Sequence, residues 1–281
     1  MKRGNTAKFM PNTTVFPGGM VAPSDVELGS PTKIAALREL FEETGMLLGR
    51  KETAATSREL DALQKRTKAK PSDFKLACPS PPVENLLEWS TWLTPFSHKQ
   101  RYMTSFFIAL MDVLVSSTTY TTFAAELPVQ MCEMEMSHYS WMAPKNCLEQ
   151  ANEGKIILPL PQYYELTRIS QVPIDKLHEY GNISVVICPQ IVKWQDHSMM
   201  SSILPGDYLY SVCHLDTNNY QQPVRSMTRA DVQVDPKKPT HRAECSTQPL
   251  YSNCKLYMHN LSSKYLKSFH HFETMSKNLL C

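Results

Sequence analysis

From Ser30 onward the apolar side chains Ile34, Leu37, Leu40 and Phe41 recur at intervals of three and four, with Arg38, Glu39, Glu42 and Glu43 set between them. At 3.6 residues per turn this spacing separates a greasy back from an acidic front that carries all three glutamates. Ser30 stands at the N-cap position, Pro31 at the first helical position and Gly45 just past the end. The pattern therefore predicts a helix over Pro31–Thr44. Upstream, Val15-Phe16-Pro17-Gly18-Gly19 is a short apolar run closed by two glycines, which let backbone come close to a ligand.

Further along, residues 51–70 have helix-forming composition, with Leu60 and Leu63 spaced for one face, and the Pro-rich stretch 71–83 reads as loop. Residues 84–92 suit a short helix or a strand with two tryptophans. Residues 102–115 are the best strand, because the apolar run Phe106–Val115 is too short to cross a bilayer and contains Asp112. A looser alternation over 133–141 predicts another strand, and helices are expected over 143–153, 161–169 and 174–180. From about Ser211 the pattern dissolves. Residues 211–250 are polar and Pro-containing, so loop or partial disorder is expected there, with 251–281 as a candidate closing helix. The organisation expected is a main domain over 1–210 and a polar C-terminal extension over 211–281.

The acidic front carries the chemistry. Glu39, Glu42 and Glu43 lie at i, i+3 and i+4. In a sheltered cleft two such carboxylates ~5 Å apart repel by roughly 3 kcal/mol at an effective dielectric of about 20. A positive charge should therefore sit in front of them, and a divalent cation that prefers oxygen, Mg²⁺ or Mn²⁺, is the economical choice. Two glutamates at i,i+4 would be no more than a solvated helix face; nine consecutive residues of matching type with the double glycine upstream are not.

Those nine residues, Arg38-Glu39-Leu40-Phe41-Glu42-Glu43-Thr44-Gly45-Met46, together with Gly19, resemble the Nudix box, G-x5-E-x7-R-E-U-x-E-E-x-G-U. The second half matches at every defined position. In the first half Asp25 stands where the family has Glu, with Glu27 as the other candidate. Twelve residues rather than seven then separate Asp25 from Arg38, which implies a five-residue insertion before the helix. The resemblance implies an α/β fold, a Nudix α/β/α sandwich around a mixed sheet. It also implies a hydrolase that cleaves the pyrophosphate of a nucleoside diphosphate linked to another moiety. On that basis Glu39, Glu42 and Glu43 are the metal-binding and catalytic glutamates, Arg38 holds Glu42, and the Gly19 carbonyl is a further metal ligand. Arg3, Arg101 and Gly18 are expected at the substrate; Lys2 and Lys8 are weaker phosphate candidates. The general base is expected among the helix carboxylates, with Glu135 as an outside choice. The family's first strand would precede Lys2, so the expected sheet lacks it.

Five further stretches narrow the resemblance. They are Lys2-Arg3-Gly4 running into Phe16-Pro17-Gly18-Gly19, Leu87-Glu88-Trp89-Ser90-Thr91-Trp92-Leu93, Arg101-Tyr102-Met103, Leu158-Pro159-Leu160-Pro161-Gln162-Tyr163-Tyr164-Glu165, and Leu204-Pro205-Gly206-Asp207. In this order they are similar to the acyl-coenzyme A diphosphatase branch, of the nucleoside diphosphate-linked moiety X motif 19 type. That resemblance implies coenzyme A or acyl-CoA as substrate, with 3′,5′-ADP and a 4′-phosphopantetheine fragment as products. Met103 departs from it, because the branch usually carries Asp there. The alternatives are another nucleoside diphosphate derivative such as ADP-ribose or NADH, or a non-catalytic Nudix-fold binding protein.

Composition changes little. A formal net charge of +2 draws the chain neither to nucleic acid nor to a membrane, so a small-molecule partner is expected. The basic run Lys65–Lys70 reads as a solvated helix end, and the Met-rich stretch 131–142 as core filler. Eight cysteines form no C-x-x-C pair and are expected to be reduced thiols of an intracellular protein, with Cys213-His214 incidental. Relatives in the branch are often peroxisomal, so the resemblance implies a peroxisomal protein; this sequence ends Leu279-Leu280-Cys281, which does not match the Ser-Lys-Leu-type tripeptide of that route, and cytoplasm or mitochondrion are the alternatives.

Overall fold

A computed structural model describes residues 1–5, 10–48, 57–110, 136–181, 185–211 and 224–262. The chain groups into two compact units, one of residues 1–87 and 107–142, the other of 88–106 and 143–281.

In the first unit helix α1 spans Pro31–Thr44, the bounds predicted from its spacing. Ser30 occupies the N-cap with extended backbone but makes no side-chain capping bond; Gly45 ends the helix at φ 72°, its N–H on the Phe41 carbonyl. Helix α2, Ser57–Ala69, lies within the expected region. The stretch expected as loop instead holds a 3₁₀ turn, Pro71–Asp73, and a short helix α3, Phe74–Ala77. The reason is Phe74, which is buried against Phe41 with ring centroids 6.2 Å apart. Ile34, Leu37 and Phe41 of α1 form the core with Phe74 and Leu86, flanked by Leu60, Leu63 and Phe107. Strand β1, Lys2–Arg3, pairs antiparallel with β4, Met136–His138, and Lys2 also bridges Thr14. These pairings lead the chain from Thr14 into the double glycine. Between β1 and β4 in sequence lie β2, Leu86–Leu93, and β3, Met103–Ala109, which form a two-stranded ladder. The remainder of the predicted strand, 111–115, lies outside the described residues, as do Lys8, Glu135, Cys213 and His214.

In the second unit helices α4, Pro144–Asn152, and α5, Leu160–Ile169, fall where expected; a 3₁₀ turn at Ile174–Lys176 runs into α6, Leu177–Tyr180. The rest departs from expectation. Strands β5, Gln190–Trp194, and β6, Met199–Ile203, had no assignment in the sequence pattern. Strands β7, Arg225–Met227, and β8, Thr240–Thr247, stand in the stretch expected to be irregular, and β9, Leu250–His259, where a closing helix was the candidate. They join one five-stranded sheet in the order β7-β5-β6-β8-β9, parallel between β5 and β7 and antiparallel elsewhere, so the sheet runs across residue 210. Polar composition concealed β8 because its polar residues are buried in pairs rather than solvated.

The cysteine expectation also needs correction. Cys245 and Cys254 face each other across β8 and β9 and form a disulfide. A spacing of nine residues gives no motif until the hairpin is known. Among the described residues no helix is long and apolar enough to cross a membrane.

Two buried polar hubs organise the second unit. The Glu165 carboxylate accepts from Trp89 Nε1 at 2.7 Å, Ser90 Oγ at 2.6 Å, Trp92 Nε1 at 2.6 Å and Arg168 Nη1 at 2.7 Å. This ties α5 to β2 and explains why the tryptophan-rich and Tyr-Tyr-Glu stretches occur together. The Asp207 carboxylate accepts from Arg242 through Nε and Nη2, both at 2.8 Å, and from the His241 and Leu209 N–H groups. His241 is held neutral: burial is the main cause, Asp207 and the Pro205 carbonyl oppose it, and its pKa falls from 6.5 to about 4. Its neighbours fit one neutral tautomer, with Nδ1–H donating to the Pro205 carbonyl and Nε2 accepting from the Tyr164 hydroxyl.

Replacing Glu165 by Ala removes the acceptor of four buried donors and should cost about 3–5 kcal/mol in urea unfolding; a loss under about 1 kcal/mol would contradict this account of the hub. For His241, the folded pKa lies below the unfolded one, so its contribution is present above pH 6.5 and is lost as pH falls through 4. The difference in stability between wild type and His241→Gln should therefore shrink by roughly 3 kcal/mol across that window. Parallel pH profiles for the two proteins would show that the ring is not held neutral.

Candidate active site

Helix α1 presents its acidic side to the loop that carries the two glycines, and Arg38 is the centre of the arrangement. The guanidinium is only 2% exposed. Its Nε and Nη2 fork onto the two oxygens of Asp25, each at 3.0 Å, and Nη2 also donates to the Met20 carbonyl at 2.7 Å. Its Nη1 donates to both Glu39 at 2.8 Å and Glu42 at 2.9 Å. Burial acts against the charge, but the bonds to Asp25, Glu42 and Glu39 outweigh it and raise the Arg38 pKa. The positive group that the acidic face requires is thus partly supplied from within the helix.

The open choice between Asp25 and Glu27 is settled by contact. Asp25 is buried and accepts from Arg38 and from the Ala22 N–H at 2.7 Å, whereas Glu27 is exposed. A six-residue 3₁₀ turn, Pro23–Leu28, carries Asp25 and delivers the shorter Asp side chain to the guanidinium. Glu43 lies beside them and accepts from the Gly18 N–H at 3.1 Å. Gly19 sits flush against Glu39: a Cβ there would overlap the carboxyl group. Glu42 and Glu43 are themselves buried, as a sheltered acidic face requires.

The structure therefore brings together Gly18, Gly19, Asp25, Arg38, Glu39, Glu42 and Glu43. Arg3 bonds to none of these groups. Arg3 bonds through its backbone to Thr13, and its Nε is buried without a partner. Arg101 belongs to the second unit, where its guanidinium lies 3.7 Å from the Phe96 ring centroid and its Nε donates to the Thr94 carbonyl. Met103, where the branch usually carries Asp, is exposed.

Residues 30–169 match the model of the NUDT19 Nudix domain. The chain is 41% identical over 283 residues to the Caenorhabditis elegans protein "Putative nudix hydrolase 7", an alignment that covers all of this chain and 90% of that one. It is 29% identical to the acyl-coenzyme A diphosphatase NUDT19 of Xenopus laevis, covering 75% of this chain and 70% of that protein. The human protein of the same name is 27% identical, covering 67% and 52%. A solved NUDIX hydrolase from Alicyclobacillus acidocaldarius superposes with a TM-score of 0.52 at 19% identity, over 66% of this chain and 86% of that one, which establishes the α/β Nudix fold. The fold and the box together define a Nudix pyrophosphatase. The chain belongs to the Nudix hydrolase family, on its NUDT19 branch.

Nudix enzymes generally use divalent metals, and the donor set here suits one in chemistry. It consists of carboxylates and a backbone carbonyl, all hard oxygen donors, with a glycine seat beside Glu39 that a Cβ would fill. Convergence is less complete, since among the described residues no three His, Cys, Asp or Glu side chains stand grouped as a metal cage. Glu39 and Glu42 are turned onto Arg38 instead.

Gly19→Ala tests the seat. The overlapping group is the end of a flexible side chain, so the fold should survive and Glu39 should move. A turnover loss of about tenfold or more is expected with the melting temperature nearly unchanged; full turnover in the variant would show that the position of Glu39 is not needed.

Proposed function

We propose that the protein hydrolyses the pyrophosphate of coenzyme A or acyl-CoA, releasing 3′,5′-ADP and (acyl-)4′-phosphopantetheine, with Mg²⁺ or Mn²⁺ as the required ion. The observation that carries this reading is the carboxylate face of α1, with Gly18 and Gly19 closed onto it and Arg38 fixed in its midst. The substrate class rests on the acyl-coenzyme A diphosphatases among the relatives.

Glu39, Glu42, Glu43 and the Gly19 carbonyl would hold the ion. When bound, it offsets the negative charge of the pyrophosphate and favours attack by water. Arg38 restrains the glutamates against their mutual repulsion, and its fork onto Asp25 keeps the guanidinium from following a phosphate out of the site. The Gly18 N–H orients Glu43. The missing side chain at Gly19 leaves the room that the Glu39 carboxyl takes against the loop. A glutamate of α1 is the proton acceptor we favour.

Purified protein incubated with CoA and Mg²⁺ or Mn²⁺ should release 3′,5′-ADP, detected by chromatography, and EDTA should abolish its release. Glu42→Gln and Glu43→Gln should lower kcat by two orders of magnitude or more. Because both side chains are buried, circular dichroism must show the variants folded. Undiminished turnover in folded Glu43→Gln would remove this mechanism, and hydrolysis of ADP-ribose or NADH in place of CoA would replace the substrate.

A further inference from the structure

The segment between Gly19 and α1 has an unusual division of labour. Its backbone and Asp25 are fastened to the site: the Met20 carbonyl takes Arg38 Nη2, Asp25 takes the guanidinium fork, and the Ala22 N–H closes onto Asp25. Its apolar side chains are left outside. Met20 is 69% exposed, Val21 45% and Val26 61%, three large apolar residues within seven positions of a loop that contributes little else to the core. A single exposed apolar residue means nothing, but three within seven positions of a loop fastened to the site do. Met20 follows directly on Gly19, whose backbone touches Glu39, and Val26 follows Asp25. The apolar rim is therefore continuous along the chain with the groups that grip the acidic face.

The substrate proposed above has a matching feature. On one side of its pyrophosphate CoA carries an adenosine 3′-phosphate. On the other it carries the pantoyl group, whose quaternary carbon bears two methyl groups one methylene from the phosphate oxygen. ADP-ribose and dinucleotides carry a hydroxylated sugar at that place. We infer that Met20, Val21 and Val26 form the surface on which the pantoyl methyl groups of CoA pack, and that this rim selects CoA and acyl-CoA over nucleoside diphosphate sugars. The inference rests on the CoA reading. It extends that reading by assigning discrimination to the loop between Gly19 and α1, through side chains that take no part in holding Arg38. An apolar surface cannot satisfy the hydroxyls of a sugar, and burying a hydroxyl without a partner is unfavourable, so the same rim that attracts one substrate rejects the other.

The triple variant Met20→Gln, Val21→Thr, Val26→Thr keeps the size of each side chain and leaves the loop backbone to bind Arg38 as before. Its KM for CoA should rise about tenfold, with kcat within about twofold. Inhibition by 4′-phosphopantetheine should weaken by a similar factor, while inhibition by 3′,5′-ADP stays as in wild type. An unchanged KM, or equal weakening of both inhibitors, would overturn the inference. Unchanged kinetics with lost self-association in sedimentation would also overturn it and assign the rim to a second copy of the chain. Absence of CoA hydrolysis in the wild type is a separate result, which fails the substrate reading before the variant is made. Val26→Thr alone, farthest from the glycines, provides a milder version with an expected rise of about threefold.

Discussion

The first unit depends on one buried guanidinium. Taking an arginine out of water costs several kcal/mol, and the cost is offset only where nearly every N–H finds an acceptor. Arg38 meets that condition with three carboxylates and a carbonyl, all within 3.0 Å. Each acceptor comes from a segment that has to be placed for function: Met20 and Asp25 from the loop between Gly19 and α1, Glu39 and Glu42 from α1. Arg38 is therefore both a stabilising residue of the unit and the element that sets where the site's walls stand. Lysine could not replace it, because an ammonium lacks the planar fork that Asp25 receives.

The second unit solves the same problem twice with the charges reversed in emphasis. There a carboxylate is the centre and donors gather on it: two indole N–H groups, a hydroxyl and Arg168 on Glu165; Arg242 and two backbone N–H groups on Asp207. Residues quoted from the sequence only as markers of a branch, Trp89, Trp92, Glu165 and Asp207, thus acquire a physical reason for occurring together. Fully satisfied buried networks favour one arrangement of strands over others, because any slip would strand a charge. That is how a sheet whose strand β8 carries His241, Arg242 and Glu244 in buried positions can be specific.

What was legible in the sequence follows from the same distinction. α1 was readable to its last residue because its burial is apolar on one face, its charges sit on the other, and Pro31 and Gly45 mark its ends. Most of the candidate site was readable with it, since Glu39, Glu42, Glu43 and Arg38 lie within six residues. Asp25 was ambiguous, because the 3₁₀ turn that aims it leaves no periodic trace. Strands β6 and β8 were missed because buried positions on them are filled by Ser201, Ser202, Arg242 and Glu244, which hydropathy counts as surface. The disulfide was missed for a related reason: Cys245 and Cys254 become neighbours only through the β8–β9 register.

The charge balance of the site is what makes a cation reasonable there despite Arg38. Asp25, Glu39, Glu42 and Glu43 are four carboxylates around one guanidinium, a formal balance of −4 + 1 = −3 among these five side chains. Two of the four, Glu39 and Glu42, share the single Nη1 of Arg38, while Asp25 alone takes a two-pronged fork. A competing positive charge would therefore draw off the shared partners before the forked one. Glu39 is the more exposed of the two and lies against the Gly19 backbone, so it can turn toward an ion without disturbing the anchor. On this account Arg38 acts as a placeholder for part of the charge: it keeps mutually repelling carboxylates together before an ion arrives, and it stays bound to Asp25 and Met20 afterwards.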